Sequence, residues 1–372
     1  MKINLQKGIN LLNNGLTPPV INTLSSVAAI LVGLLAGFII LLVSNVSQAA
    51  QGFGTILSSG FSSMNHLGQV LYFATPIIMT GLSVGFSSKT GLFNIGASGQ
   101  FITGAYAAIL VGVKCSFLPG HLHWITALIA AVLAGALWGA IPGFFKAIFN
   151  VNEVIACIMM NYTGTYLVNF LVSKTVFDSL QNRSMRVLET ANLPKIGMDQ
   201  IFRDGDKISS ANSGFFIAIL FAVLIYLILE KTTFGYELKA CGFNREAARY
   251  AGINEKKSII LSMTIAGALA GLGGALLYLA GSGKGITVVD VLAQEGFNGI
   301  PVALLGLNNP LGIIFSGMLI AYLNEGGFYM QLYKFQPQVI EIIISVIIYF
   351  SAFALLVKNF FNSLKKRLGG ET

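Results

Sequence analysis

Three short runs of the chain set amide and carboxylate side chains among glycines in otherwise apolar surroundings. The first is Gly91-Leu92-Phe93-Asn94-Ile95-Gly96-Ala97-Ser98-Gly99-Gln100. The second is Val151-Asn152-Glu153-Val154-Ile155 followed by Asn161, with Glu153, Cys157 and Asn161 along one broad helical face. The third is Glu295-Gly296-Phe297-Asn298-Gly299-Ile300-Pro301, leading into Val302-Ala303-Leu304-Leu305-Gly306. Asn and Gln each offer a donor and an acceptor without charge, so they can hydrogen-bond a neutral solute. Glycine lets backbone or ligand approach with no Cβ in the way. Such groups either line a pathway or cap helix ends and satisfy one another; residue types alone leave both readings open.

Catalytic constellations are missing. The histidines are His66, His121 and His123, all in expected outer loops. The His121-Leu122-His123 pair offers two ligands, an incomplete metal site, and reads as a solvated loop. Cys115, Cys157 and Cys241 have no CxxC spacing, so neither a metal site nor a disulfide framework follows from them. No GxxxxGK[ST] phosphate loop occurs, so the chain cannot be its own nucleotide-driven motor. Gly281-Ser282-Gly283-Lys284-Gly285 lacks the strand and helix of a nucleotide fingerprint and reads as a flexible turn. No catalytic residue, cofactor or metal is expected.

The elements that must position these residues are membrane helices. Of 372 residues, 55% are hydrophobic and 10% charged, with a mean hydropathy of +0.75. Soluble domains carry roughly 25% charged residues, so an ordinary globular enzyme is excluded. A span needs about 20 apolar residues. Ten runs qualify, near 24–46, 69–87, 93–113, 124–145, 151–172, 214–230, 259–280, 290–307, 311–329 and 338–357. The expected fold is an all-α polytopic bundle of about ten spans. The eighth is the weakest, because Asp290, Gln294, Glu295 and Asn298 crowd its start; it reads as broken or only partly spanning. The core of the first run is longer than a signal-peptide core of 7 to 15 residues, which favours an uncleaved span. Gly33/Gly37, Gly81/Gly85, Gly135/Gly139 and Gly267/Gly271 have GxxxG spacing, which close helix packing in lipid explains.

The net charge of +8 sits mainly in connecting segments and at Lys365, Lys366 and Arg367, with no clustered face for nucleic acid. Lys and Arg enrich the segments that are cytoplasmic if the N-terminus is inside, which puts both termini inside. Residues 1–23 then form a cytoplasmic segment, 24–357 the transmembrane domain and 358–372 a basic cytoplasmic tail. The loop 173–213 lies outside, with six basic and five acidic residues. The loop 231–258 lies inside and reads as a short exposed helix. Asn244 is its N-cap, Glu246 lies in the first turn, Arg245 and Arg249 share a face, and Gly252 is the stop. A docking element is the stronger reading.

These runs, together with the cytoplasmic segment Thr233–Ile253, resemble the permease subunits of bacterial ABC importers of the branched-chain amino acid and ribose type. The nearest match is the nucleoside-uptake branch served by a basic-membrane-protein type lipoprotein. The resemblance covers roughly residues 70–355. It implies a bacterial cytoplasmic-membrane location, a second permease subunit in a heterodimer, a cytoplasmic ATP-binding subunit and an extracellular substrate-binding lipoprotein. Residues 241–252 become the coupling helix, with Gly242, Asn244, Arg245, Glu246, Arg249, Tyr250 and Gly252 at the ATPase. Phe93, Asn94, Gln100, Asn152, Glu153, Asn161, Glu295, Phe297 and Asn298 become the substrate pathway, with the two phenylalanines able to stack on a base. A sugar or branched-chain amino acid is the alternative cargo, and amino acids would call for a charged pair in the cavity. An ion-coupled secondary transporter is a further alternative, disfavoured because Glu153, Asp290, Glu295 and Glu341 fall near span ends. Phe93-Asn94-Ile95-Gly96 and Phe297-Asn298-Gly299-Ile300 are weakly alike and open oppositely directed spans, as an inverted repeat requires.

Overall fold

The structure is a computed structural model and describes residues 18–352. The expected basic tail 358–372 and residues 1–17 of the expected N-terminal segment lie outside the described residues. The chain runs α1 (Pro18–Ser44), α2 (Val46–Ser58), α3 (Met64–Lys89), α4 (Ala97–Lys114), α5 (Gly120–Phe149) and α6 (Glu153–Thr175). Two hairpins follow, β1 (Phe177–Asp178) with β2 (Arg183–Ser184) and, after the short α7 (Met198–Ile201), β3 (Arg203–Asp204) with β4 (Lys207–Ile208). The chain continues through α8 (Gly214–Lys231), α9 (Thr233–Phe243), α10 (Arg245–Tyr250), α11 (Glu255–Tyr278), α12 (Gln294–Leu305), α13 (Pro310–Met330) and α14 (Pro337–Ala352). Residues 59–325 form one compact unit; 18–58 with 326–352 form another.

Among the described residues, six helices are long and apolar enough to cross a bilayer, fewer than the ten expected. They are α3, α5, α6, α8, α11 and the stretch Pro310–Tyr333 that holds α13. Two departures have local causes. α12 has 12 residues, about 18 Å at 1.5 Å per residue, against a hydrocarbon core of about 30 Å. α4 starts only at Ala97, so Phe93 and Asn94 lie in a turn before the helix rather than inside it. The sequence reading also passed over α2, an amphipathic helix whose buried face is Ala49, Gly52 and Ile56.

In the larger unit α3, α4 and α11 are buried almost throughout, while α5, α6 and α8 keep Leu137, Phe170 and Leu220 exposed. An apolar outer surface around a buried core suits lipid as solvent. The closest approach is made by glycine. A Cβ on Gly267 or Gly271 of α11 would run into the backbone of Gly139 and Gly135 of α5. Two of the GxxxG pairs read from the sequence thus face each other. On α3, Gly81 and Gly85 give the same room to Val302 and Ile313.

The insertion between α6 and α8 is tied down at one end of this unit. Ser184 N–H donates to Ile286 O at 2.8 Å, Leu193 N–H to Leu279 O at 2.8 Å and Leu188 N–H to Gly112 O at 3.0 Å. His123 was expected in a solvated loop, but it is fully buried. Its Nε2 lies 3.0 Å from Val111 O and its Nδ1 2.9 Å from Thr190 Oγ1. A carbonyl can only accept, so Nε2 carries the proton and Nδ1 accepts from Thr190. The insertion folds back over the helix and dries that end of α5. Among the described residues no group of three or more His, Cys, Asp or Glu side chains could hold a metal.

Overpacking should therefore be concentrated at one crossing. Gly267→Val is expected to destabilise the protein by about 1–3 kcal/mol or more. Gly54→Ala, where nothing lies within 4 Å, should add ~0.5–1 kcal/mol by removing a mid-helix glycine. Thermal melting of the detergent-purified variants checks both; an unchanged Gly267→Val midpoint would contradict the backbone contact.

Candidate functional site

The starts of α4 and α12 meet inside the larger unit. α12 runs parallel to α3, because Gly299 meets Thr80, Val302 meets Gly81, and Ala303 and Asn308 approach Gly85. α4 runs antiparallel to α3, because Asn94 reaches Ser83 while Tyr106 and Ile109 share a core cluster with Tyr72. The two helices therefore point away from each other, with their first turns in contact. Gly296 lies against the Ser98 backbone, and Ser98 Oγ donates to Ala293 O at 2.9 Å. Thr80 Oγ1 donates to Glu295 O at 3.0 Å. Thr80 is 16 residues along α3, about 24 Å into a helix of about 39 Å. The junction is thus deep within the span.

Side chains read as pathway residues separate here into two groups. Asn94, Gln100 and Asn161 are fully buried. Asn94 Nδ2 donates to Gln100 Oε1 at 2.8 Å and to Ser83 Oγ at 3.1 Å, and Gln100 Nε2 returns a bond to Asn94 Oδ1 at 3.1 Å. Asn161 Oδ1 accepts from Gly99 N–H at 2.8 Å, and its Nδ2 donates to Ile95 O at 3.0 Å. These amides spend their hydrogen bonds on one another and on the backbone before α4. They brace the turn.

The second group is open. Glu295, Phe297 and Asn298 are partly exposed, and the Asn298 amide makes no hydrogen bond among the described residues. Glu295 Oε1 pairs with Lys284 Nζ at 3.0 Å, the side chains 27% and 39% exposed. The Lys284 ammonium also lies 5.9 Å from the Tyr278 ring centroid. A charge in hydrocarbon costs several kcal/mol unless water or a partner reaches it. The pair lies beside Tyr278, the last residue of α11, and both of its side chains are partly exposed there. Lys284 reaches the site from the turn after α11, at the end held by β1 and β2.

Asn152 and Glu153 belong to neither group. Asn152 caps α6, accepting from Val154 N–H at 2.9 Å. Glu153 clamps the α5–α6 turn through Lys146 at 2.9 Å, with side chains only 15% and 13% exposed. Phe93 is partly buried in the turn before α4.

At the far end of the larger unit, the segment read as one helix is two. Asn244 ends α9 and caps α10, accepting from Ala247 N–H at 3.0 Å. Gly242 therefore belongs to α9. Gly252 stops α10 at φ +84°, as its residue type suggested. Arg249, Glu246 and Tyr250 are exposed and Arg245 is partly buried. A groove of about 500 Å³ opens between the two helices, with Tyr236, Phe243, Asn244 and Ala248 in its walls. Tyr236, Phe243 and Tyr250 are 69%, 92% and 98% exposed. Tyr236 and Phe243, which also border the groove, were not among the residues singled out in the sequence.

Oppositely directed helix starts inside a bundle of apolar helices suit a membrane transport protein. The family model described as branched-chain amino acid transport system / permease component matches residues 66–352. The chain belongs to this family of ABC transporter permeases. It is 39% identical to the guanosine ABC transporter permease protein NupP of Bacillus subtilis, over 91% of this chain and 95% of that protein. It is 33% identical to the nucleoside ABC transporter permease protein NupB of Lactococcus lactis, over 89% and 90%. It is 31% identical to the glucose ABC transporter permease protein TsgB13 of Haloferax volcanii, over 90% and 87%. In each of these organisms a second, more distant ABC transporter permease also matches. No solved structure matches the chain.

The two polar groups should respond differently to substitution. Asn94→Leu strands a buried Gln100 amide at a cost of about 1–3 kcal/mol, so membrane abundance and melting temperature should fall together. Asn298→Leu should change neither, having no bond to lose. Normal abundance of Asn94→Leu, read by immunoblot, would refute the bracing role.

Proposed function

We propose that this permease passes nucleosides across the bacterial cytoplasmic membrane, with glucose and branched-chain amino acids outside its range. The observation that carries the cargo is the pair of relatives named for guanosine and nucleosides, each aligned over about nine-tenths of the chain. The site chemistry agrees. Phe297 suits stacking on a base, worth about 1–3 kcal/mol in nucleic-acid sites, and the free amide of Asn298 suits a base edge. Glu295, Phe297 and Asn298 then touch substrate. Phe93 flanks the path, and Asn94, Gln100, Asn161, Asn152 and Glu153 hold its shape.

Both termini and the 231–258 segment face the cytoplasm, and the β1–β4 insertion faces outward, toward an extracellular substrate-binding lipoprotein. A second, related permease completes the pore, in keeping with the second matching permease in each relative's organism. An ATP-binding subunit docks on α9 and α10 through Arg245, Glu246, Arg249, Tyr250 and Gly252, beside the groove edged by Phe243 and Asn244, with Gly242 behind it. ATP binding moves the docked helices and biases which side the path opens to.

Uptake of radiolabelled guanosine by cells expressing the complete transporter tests the cargo. Unlabelled nucleosides should compete; glucose and leucine should not. Competition by leucine would instead favour the amino-acid reading, for which a Lys284–Glu295 pair is a suitable zwitterion partner. In the same cells Phe243→Glu with Arg249→Glu is expected to reduce co-purification of the ATPase subunit at least tenfold at unchanged permease abundance. A cysteine at Leu180, 94% exposed in the insertion, should react with an impermeant maleimide in intact cells. Reaction only after permeabilisation would reverse the orientation.

A further inference from the structure

Building on the nucleoside reading above, we infer that Glu295 selects the sugar. Its carboxylate accepts the 2′- and 3′-hydroxyls of ribose, while Lys284 pairs with one of its oxygens. Four observations converge. The backbone around Glu295 is fixed, because Thr80 Oγ1 bonds its carbonyl, Ser98 Oγ bonds that of Ala293, and Gly296 rests on the Ser98 backbone. The side chain thus leaves a rigid point and is 27% exposed. Next, only Oε1 is engaged, by Lys284 at 3.0 Å. Among the described residues nothing else donates to this carboxylate, so acceptor capacity remains on both oxygens.

The third observation is chemical. An ionised carboxylate accepts and never donates. A vicinal diol, with two O–H groups on one edge, suits it better than a base edge of mixed donors and acceptors. That mixed edge suits the Asn298 amide, three residues on and so on the same side of α12. Last, the pair has no net charge, so a neutral solute can add its hydroxyls without separating ions in a medium of low dielectric. Lys284 stands on a turn with Gly281 at φ +71° and Gly283 at φ +69°, and its ammonium lies 5.9 Å from the Tyr278 ring centroid while paired with Glu295. It can stay paired while Oε2 takes the hydroxyls.

The test uses the assembled transporter in proteoliposomes, comparing transport of guanosine and 2′-deoxyguanosine by wild type and variants. A site built around a substrate hydroxyl discriminates strongly against the analogue lacking it. Glu295→Gln is expected to shift the guanosine to 2′-deoxyguanosine transport ratio about tenfold toward the deoxynucleoside. Glu295→Asp, which keeps the acceptor, should shift it less than threefold. Because the lipoprotein is the same throughout, the shift reports on the permease. An unchanged ratio in assembled Glu295→Gln, even with slower transport of both nucleosides, overturns the assignment. If Glu295→Gln does not assemble, Asn298→Asp decides: a second acceptor-only group beside Glu295 should raise the ratio, and no change overturns it. Failure of wild type to transport either nucleoside overturns the nucleoside reading itself, and the sugar assignment with it.

Discussion

Inside a bilayer no water is available to a helix that begins partway across, so its first turn must find partners within the protein. α4 and α12 both begin this way, and the architecture around them answers that need. The first N–H groups and approaching carbonyls of α4 are met by Asn161, which accepts from Gly99 and donates to Ile95. The carbonyls entering α12 are met by Thr80 and Ser98. Neither set tolerates a Cβ at the crossing, which is why Gly99, Gly296 and Gly299 stand where backbones touch. Polar satisfaction and close approach are thus one requirement, and together they fix two helix starts back to back.

That arrangement separates stability from recognition. Had Asn94 and Gln100 been left open to the path, each solute would compete with the bonds that hold the turn. Their reciprocal pairing removes them from that competition, whereas Glu295 and Asn298, three residues apart on one side of α12, keep partly exposed side chains. Here the only strong constraint is one ion pair, and its lysine sits on a glycine-rich turn.

Much of this was legible in the sequence because the cues are local. Asn244 reads as a cap and is one; Gly252 reads as a stop and has positive φ; two of the GxxxG pairs mark the α5–α11 crossing; Asn152, placed in the pathway, proves to be a cap. The apolar runs gave the bundle, but among the described residues two of them fall short of full spans, since hydropathy does not register that a helix starts late, as α4 does, or stays short, as α12 does. What stayed hidden depends on contacts between distant residues. His123 is dried by a loop returning 67 residues later, and the Lys284–Glu295 pair requires the chain to double back across an irregular stretch. Whether an asparagine lines a path or braces a turn is decided by its neighbours in space, so residue type left Asn94 and Asn298 equivalent.

The same kind of close contact links the α9–α10 segment to the helix starts. Gly242, near the end of α9, lies against the backbone of Lys89 and Gly91, the last turn of α3. A Cβ on Gly91 would stand 3.1 Å from Gly242 O and 3.2 Å from its Cα, and Gly91 has φ +71°. Three residues on is Asn94. With no side chain on either glycine to absorb displacement, α9 cannot shift toward α3 without moving the turn that the Asn94–Gln100 pair holds rigid. Thr90 is tied in turn to Ser262 of α11 at 2.7 Å. The contacts thus run without a break from α9 to the start of α4, and through Ser98 to the start of α12, where Glu295 and Asn298 sit.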